Sequence, residues 1–289
     1  MNAALSPVQR PVVRYHGGKW KLAPWIIEHL PPHKTYVEPF GGGGSVLLRK
    51  PRAYAEVYND LDGEIVNVFR MVRDRGEELL RLIELTPFAR VEFEASYTPT
   101  KEPLERARQT ILRSFMGFGS ASACGERSGF RSTSSRSGTT PAHDWRNYPA
   151  KMPELIERLR GVVIEERDAK IVMAHHDGPN TVHYVDPPYV HSTRSLKVRH
   201  NDHRKSYRHE LTDDEHVELA VFLHGLTGMV VLSGYPCDLY DRLYADWTRI
   251  DRAALADGAK PRVECLWLNQ RAQEGLAHHQ HPLQFGSTP

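Results

Sequence analysis

Asp186, Pro187, Pro188 and Tyr189 stand in a row at the end of an apolar run, Thr181-Val182-His183-Tyr184-Val185. The run reads as a buried strand, and in an open α/β sheet ligands bind beyond the carboxyl ends of the strands. Two prolines fix φ and supply no N–H, so the corner is stiff and presents carbonyl acceptors. A carboxylate and a carbonyl can both accept from an amino group, and a phenol ring can lie flat on a planar one. The substrate that suits this corner is planar and carries an NH2.

A second constellation precedes it. Tyr36-Val37-Glu38-Pro39-Phe40 reads as a strand end, Gly41-Gly42-Gly43-Gly44 as a tight turn, and Ser45-Val46-Leu47-Leu48 as a helix start. Missing side chains let a backbone approach a ligand closely, and a helix N-terminus offers unpaired N–H groups. Asp60 ends a second strand, close to the offset at which an acid bonds ribose hydroxyls in nucleotide folds. The turn lacks the Gly-Lys-Ser/Thr ending of a phosphate loop, which disfavours a nucleoside triphosphate. S-adenosyl-L-methionine fits better, with an adenine, a ribose, an amino-acid end and no phosphate. Asp168, after a third strand, is a candidate acceptor for the adenine amino group. Glu38 is either a structural support for the turn or, through it, a partner of the methionine amino group.

The elements that must hold these residues follow a strand–helix pattern. Strands are expected at 53–58, 162–165, 181–185, 229–233 and 263–268, with helices at 65–71 and 213–223. The opening reads as a βαβ unit. The stretch 72–160 differs, with helical patterns at 77–85 and 104–115 and then a glycine- and serine-rich segment from Gly117 to Thr140. It reads as an inserted domain with a mobile loop. The tail after Gln270 is polar and is expected to fray. Three parts result: 1–71, 72–160 and 161–289.

With these residues assembled, the chain resembles the DNA adenine-N6 methyltransferases of the bacterial and phage Dam type, the D12 class, in the α-group order of motifs. Arg14-Tyr15-His16-Gly17-Gly18-Lys19 is similar to the family's N-terminal segment, and Tyr36 to Val46 to its cofactor motif. Asn59-Asp60 with Glu64-Ile65-Val66-Asn67, Ser233-Gly234-Tyr235 and Arg262 to Asn269 resemble its later strand motifs. The resemblance covers nearly the whole chain. It implies an α/β, Rossmann-like S-adenosylmethionine-dependent methyltransferase sheet with an inserted, mainly helical DNA-recognition domain. It implies methyl transfer to the N6 of a flipped-out adenine, with S-adenosyl-L-homocysteine as product. Tyr15 and Lys19 would then stand beside the cofactor, and Phe40, Gly42 and Gly44, with Ser45 following, would wrap its methionine end. Asp60 would hold the ribose and Asp168 the adenine. Asp186 would hold the target amino group with the Pro187 carbonyl beside it, Pro188 would stiffen the corner, and Tyr189 would stack on the base. Two departures stand out. Ala169 replaces a Phe that many members set against the cofactor adenine, so Ile171 is the expected substitute. The four-glycine turn is looser than the family's usual one.

DNA walls are sought in the basic stretches. From Arg106 to Lys151 the chain carries Arg106, Arg108, Arg113, Arg127, Arg131, Arg136, Arg146 and Lys151 against Glu126 and Asp144. The loop after the corner carries Arg194, Lys197, Arg199, Arg204, Lys205 and Arg208 against Asp202 and Glu210. Arg113, Arg127, Arg131, Arg136, Arg194, Lys197 and Arg199 are the expected contacts to double-stranded DNA. Net charge, only +2, does not itself announce nucleic acid. The three cysteines, Cys124, Cys237 and Cys265, read as reduced thiols of a cytoplasmic protein. No apolar run approaches a membrane span, and Met1 to Val13 lacks the pattern of a secretory signal. His175-His176 and His278-His279 lack metal-site partners at familiar spacing, so no metal is expected. A monomer is expected, with a dimer on DNA as the alternative. Rival readings are transfer to an amide or amine of protein or to RNA, and a catalytically silent DNA-binding module of the same fold.

Overall fold

The computed structural model describes residues 5–119, 127–134, 138–193, 209–255 and 261–280. In chain order the elements are α1 (Ala23–Glu28), β1 (Thr35–Glu38), α2 (Ser45–Arg49), β2 (Ala55–Asn59), α3 (Gly63–Asp74), α4 (Gly76–Leu85), α5 (Arg90–Ala95), α6 (Pro103–Met116), α7 (Pro141–Asn147), α8 (Met152–Leu159), β3 (Val162–Glu165), α9 (Ala169–His176), β4 (Thr181–Val185), α10 (Asp213–His224), β5 (Met229–Gly234), α11 (Asp238–Leu243), β6 (Thr248–Leu255), β7 (Pro261–Leu268) and α12 (Gln270–Gln280). None of the described helices is long and apolar enough to cross a membrane.

The strands form one seven-stranded sheet in the order β3-β2-β1-β4-β5-β7-β6. The first five are parallel, and β7 runs antiparallel to both β5 and β6. Central strands buried on both faces read as continuous apolar runs. β4 and β5 are buried at every residue. The strand order reverses between β1 and β4, so the segments leaving these two strands diverge and open a crevice at their carboxyl ends. This is the Rossmann-like methyltransferase sheet that the sequence led us to expect.

Helices α3 to α8 pack on one another, with α3 against β3, the edge strand beside β2. α6 lies along α3, and α8 packs against α2, α3 and α4. α6 starts on a side-chain cap, Glu102 accepting from the Glu105 N–H at 2.6 Å, with Pro103 in its first turn. The apolar core runs unbroken from Leu47, Leu48 and Phe69 into Ile111, Leu112 and Leu155, so these helices share the core of the sheet.

Two expectations change. After Asn269 the chain continues as α12 to Gln280 instead of fraying, and the rest of the tail, 281–289, lies outside the described residues. Asn269 caps it, accepting from the Ala272 N–H at 3.0 Å, and Ala272 is fully buried. Gly275 lies so close to Pro31 and the Met229 sulfur that a Cβ would stand 2.9 and 3.2 Å from them. The polar composition that suggested fraying belongs to the helix's solvent side. The glycine- and serine-rich segment is also not wholly loop. Residues 127–131 pair back on the end of α6, through Phe118 N–H to Gly129 O at 2.9 Å and Arg131 N–H to Met116 O at 2.8 Å. α7 and α8 follow directly.

Candidate active site

The crevice between β1 and β4 holds about 850 Å³ of empty space open to solvent. Its floor is the glycine turn after β1 and its flanks are residues 15–19 and Asp186-Pro187-Pro188.

The turn is tightly fixed. Gly41 N–H donates to Asn59 O, Gly44 N–H to Gly41 O, and Tyr58 OH to Gly42 O, each at 2.7 Å. Gly42 and Gly44 have φ of +47° and +60°, which residues with a Cβ adopt only with strain. Tyr58 and Phe69 stack with centroids 4.2 Å apart beneath the turn. A Cβ on Gly41 would come within 2.2 Å of Tyr58, and one on Gly44 within 2.8 Å of Phe69. The glycines therefore let the backbone lie directly on an aromatic pair, and three hydrogen bonds hold the turn. Asn59, fully buried, ties this floor to the neighbouring strands by donating to Pro39 O and Arg167 O, both at 2.9 Å.

Three carboxylates converge on the crevice. Asp60 accepts from Gly42 N–H at 2.7 Å and from Asp62 N–H at 2.8 Å. Burial pushes its pKa up to about 6, against the pull of those two N–H groups. Glu38 accepts from Tyr36 OH and from Leu47 N–H, both at 2.8 Å and both on Oε2. It thus braces the first turn of α2 through Oε2 while also lining the crevice. Burial raises it to about 8, opposed by the two hydrogen bonds and assisted by the charge of Asp186. Asp186 completes the set. Its Oδ2 lies 3.0 Å from the Lys19 ammonium, while Oδ1 is buried without a hydrogen-bond partner among the described residues. A buried orphan acceptor is costly and calls for an explanation.

Lys19 arrives from the turn before α1. Its ammonium donates to Gly17 O at 3.0 Å and stands 4.5 Å over the ring centre of Tyr189. Tyr189 in turn donates its hydroxyl to Glu264 at 3.0 Å, lies 3.0 Å from Ser233 Oγ and meets Tyr235 edge-on at 4.6 Å.

Tyr15, Lys19, Glu38, Phe40, Gly42 and Ser45 all line the crevice, as do Asp60, Asp186, Pro187 and Pro188. Gly44 acts one step behind, packing on Phe69. Asp168 is exposed and caps α9, accepting from Lys170 N–H at 2.8 Å and Ile171 N–H at 3.3 Å. It does not line the crevice, although its neighbour Ala169 does. Ile171 is half exposed and outside the lining as well. The sequence reading gave no role to Asn59, Ser233 or Glu264. Their positions within motifs were visible, but their partners come from strands distant in sequence.

The basic strip needs correction. Arg113 is buried; its guanidinium donates to Ser96 O and to Thr110 Oγ1, so it serves the helical core and not a phosphate. Arg106 pairs with Glu64 at 2.5 Å, and Arg108 with Glu105 and Glu92 at 2.7 and 3.2 Å. The neutralising acids lie outside the stretch 106–151 or face it from the previous turn. Arg127 is exposed beside the Tyr97 ring at 5.3 Å, and Arg131 donates to Phe115 O at 3.2 Å. Arg136, Arg194, Lys197 and Arg199 lie outside the described residues.

Known proteins are similar to this chain in sequence. The sequence profile of the D12 class N6 adenine-specific DNA methyltransferases matches residues 15–255. The type II methyltransferase M1.LlaDCHI of Lactococcus lactis subsp. cremoris is 27% identical over 277 residues, which cover 87% of this chain and 90% of that protein. The type II methyltransferase M.MjaIII of Methanocaldococcus jannaschii is 23% identical, over 81% of this chain and 88% of its own. The DNA adenine methylase of Escherichia coli K12 is 24% identical over 63% of this chain and 65% of its own. The profile spans both the glycine turn and the Asp-Pro-Pro-Tyr corner that the sheet brings face to face, and the chain belongs to the D12 class of N6 adenine-specific DNA methyltransferases.

Proposed function

We propose that this adenine DNA methyltransferase binds S-adenosyl-L-methionine in the β1–β4 crevice and methylates the N6 of an adenine turned out of duplex DNA. The observation that carries the reading is the orphan Oδ1 of Asp186, buried at the carboxyl end of β4 across from the glycine turn.

The residues fit such a cofactor. The turn leaves Cβ-free backbone along the crevice at Gly41, Gly42 and Gly43. Asp60 and Phe40 line the same crevice, placed for the ribose and the methionine end. Asp168 stands outside the lining, next to Ala169 at its rim, and with Oδ1 on the α9 cap its Oδ2 is the oxygen that would accept from the adenine amino group. When bound, the cofactor supplies an electrophilic methyl on a positively charged sulfur.

An adenine amino nitrogen is a poor nucleophile because its lone pair is delocalised into the ring. Asp186 Oδ1 and the Pro187 carbonyl would accept its two N–H bonds, draw them out of the ring plane and orient the nitrogen. The negative charge of Asp186 would stabilise the positive charge that develops on that nitrogen. Lys19 already occupies Oδ2, which leaves Oδ1 as the oxygen that meets the substrate. A base stacked on the Tyr189 ring would offset part of the few kcal/mol that extruding a base costs. Residues 72–160 act as the target-recognition part, with Arg127 and Arg131 toward the DNA, between the catalytic parts 1–71 and 161–289.

The test is methyl transfer from a tritiated donor to DNA from a methylation-free host. Wild type labels adenine, and Asp186→Ala lowers the rate by more than about a hundredfold while donor binding persists. A fully active Asp186→Ala protein overturns the reading. Mapping the modified adenines in that host's genome reads the target sequence directly.

A further inference from the structure

Glu264 is a carboxylate on β7, only 7% exposed, behind the Asp-Pro-Pro-Tyr corner. Burying a charged group is unfavourable unless hydrogen bonds or opposite charge compensate. Here burial raises its pKa, opposed first by the charge of Lys19. What it does hold is the phenol of Tyr189, at 3.0 Å. With its single proton given to Glu264, the Tyr189 oxygen accepts from Ser233 Oγ at 3.0 Å. Ser233 and Glu264 come from β5 and β7, the antiparallel pair at this end of the sheet. The phenol oxygen lies on the axis about which a tyrosine ring turns, so two hydrogen bonds there fix the ring's position, and the ring packed against its side restricts its plane. The ring meets Tyr235 at 78°, and Tyr235 is itself covered by the Arg262 guanidinium at 4.9 Å. Arg262 also donates to Thr193 O at 2.9 Å, in the segment that follows Tyr189.

We propose that Glu264 is a positioning residue for methyl transfer: it locks the Tyr189 ring by its hydroxyl, so that the ring stands as a fixed wall against which the target base is held before Asp186. The proposal rests on the reading that Asp186 receives the target amino group, and the test separates the two.

Steady-state kinetics on Tyr189→Phe, Glu264→Ala and the double variant provide it. Tyr189→Phe keeps the ring and loses only the hydroxyl. Each single change should lower kcat about tenfold, the loss expected when a hydrogen bond to a charged group is removed. KM for the methyl donor should stay at the wild-type value. The double variant should also lose about tenfold and not a hundredfold, because both changes break one shared interaction. Glu264→Gln, which can still accept from the phenol, should recover most of the activity of Glu264→Ala. If Glu264→Ala does not fold, the cycle is run with Tyr189→Phe and Glu264→Gln, and the Gln change should have no effect once the hydroxyl is gone. Losses that multiply in the double variant, or a Tyr189→Phe enzyme at wild-type kcat, overturn the proposal. Asp186→Ala measured alongside discriminates: if it is inactive while Tyr189→Phe is normal, only the role of Glu264 falls; if it is active, the reading of the site falls with it.

Discussion

Two buried groups of charges lie on either side of α2, and they are built on opposite principles. Beneath the helix, Glu56 is held between Lys50 at 2.7 Å and Arg158 at 2.6 Å, all three nearly inaccessible to water. Burial works against the Glu56 charge, yet the two cations outweigh it and its pKa is lowered. Arg158 also donates to Leu47 O at 2.5 Å, so α8, β2 and α2 meet at one carboxylate. On the other side, Glu38, Asp60 and Asp186 gather around the crevice with Lys19 as the cation in contact, and Glu264 stands behind them on the Tyr189 hydroxyl. There burial wins, and Glu38, Asp60 and Glu264 are all raised. The first group joins elements. The second holds acceptors in a state that costs stability, as expected where groups must meet a substrate.

The contrast can be broken at either end. The largest effect on stability should come from Glu56→Ala, which leaves Lys50 and Arg158 buried without their anion. A loss of ~3–5 kcal/mol is expected, read by urea unfolding followed by circular dichroism. A loss below about 1 kcal/mol would show that water or rearrangement satisfies both cations and that the cluster is not a joint.

A smaller, pH-dependent effect should come from Glu38→Gln. The folded-state pKa, about 8, lies above the ordinary 4.5, so folding favours the protonated form. The associated stability is fully present below pH 4.5 and is lost as pH rises through about 8. Between pH 5 and 8 wild type should lose on the order of 3 kcal/mol relative to Glu38→Gln. The Gln carbonyl can still accept from Tyr36 and Leu47, so the brace on α2 survives. Parallel pH profiles for the two proteins would mean that Glu38 is ionised at neutral pH and that the crevice is less hostile to charge than its neighbours imply.

The smallest change is Gly42→Ala. Its φ of +47° and a Cβ 3.0 Å from the Tyr15 ring should cost about 1–2 kcal/mol in stability. Donor affinity, measured by calorimetry, should fall further than stability does, because the Gly42 N–H is also held by Asp60. An unchanged affinity would show that the turn serves packing on Tyr58 and Phe69 alone.

Much of this was legible in the chain. The Asp-Pro-Pro-Tyr corner, the glycine turn and the acid at the end of β2 are contiguous motifs at strand ends, and alternating strand and helix patterns are enough to put strand ends at one edge. Charge was harder to read. The stretch 106–151 looks unpaired when counted by itself, but Glu64 and Glu92 neutralise Arg106 and Arg108 from other helices. Arg113 is indistinguishable from a surface arginine until α6 is seen to turn it inward.

By itself the sequence determined which groups are chemically competent: a carboxylate before two prolines, a phenol, a lysine after two glycines, and a turn free of Cβ atoms. These are properties of residue types and short spacings, and they survive without knowledge of the fold. Only tertiary structure decided which competent groups are committed elsewhere. It set Glu38 against the Leu47 N–H of α2, gave both oxygens of Asp60 to backbone N–H groups, tied Tyr189 to Glu264 across 75 positions and left Oδ1 of Asp186 without a partner among the described residues. A hydrogen bond depends on a few ångströms between atoms, and distances across a sheet are set by strand order, which no local pattern encodes.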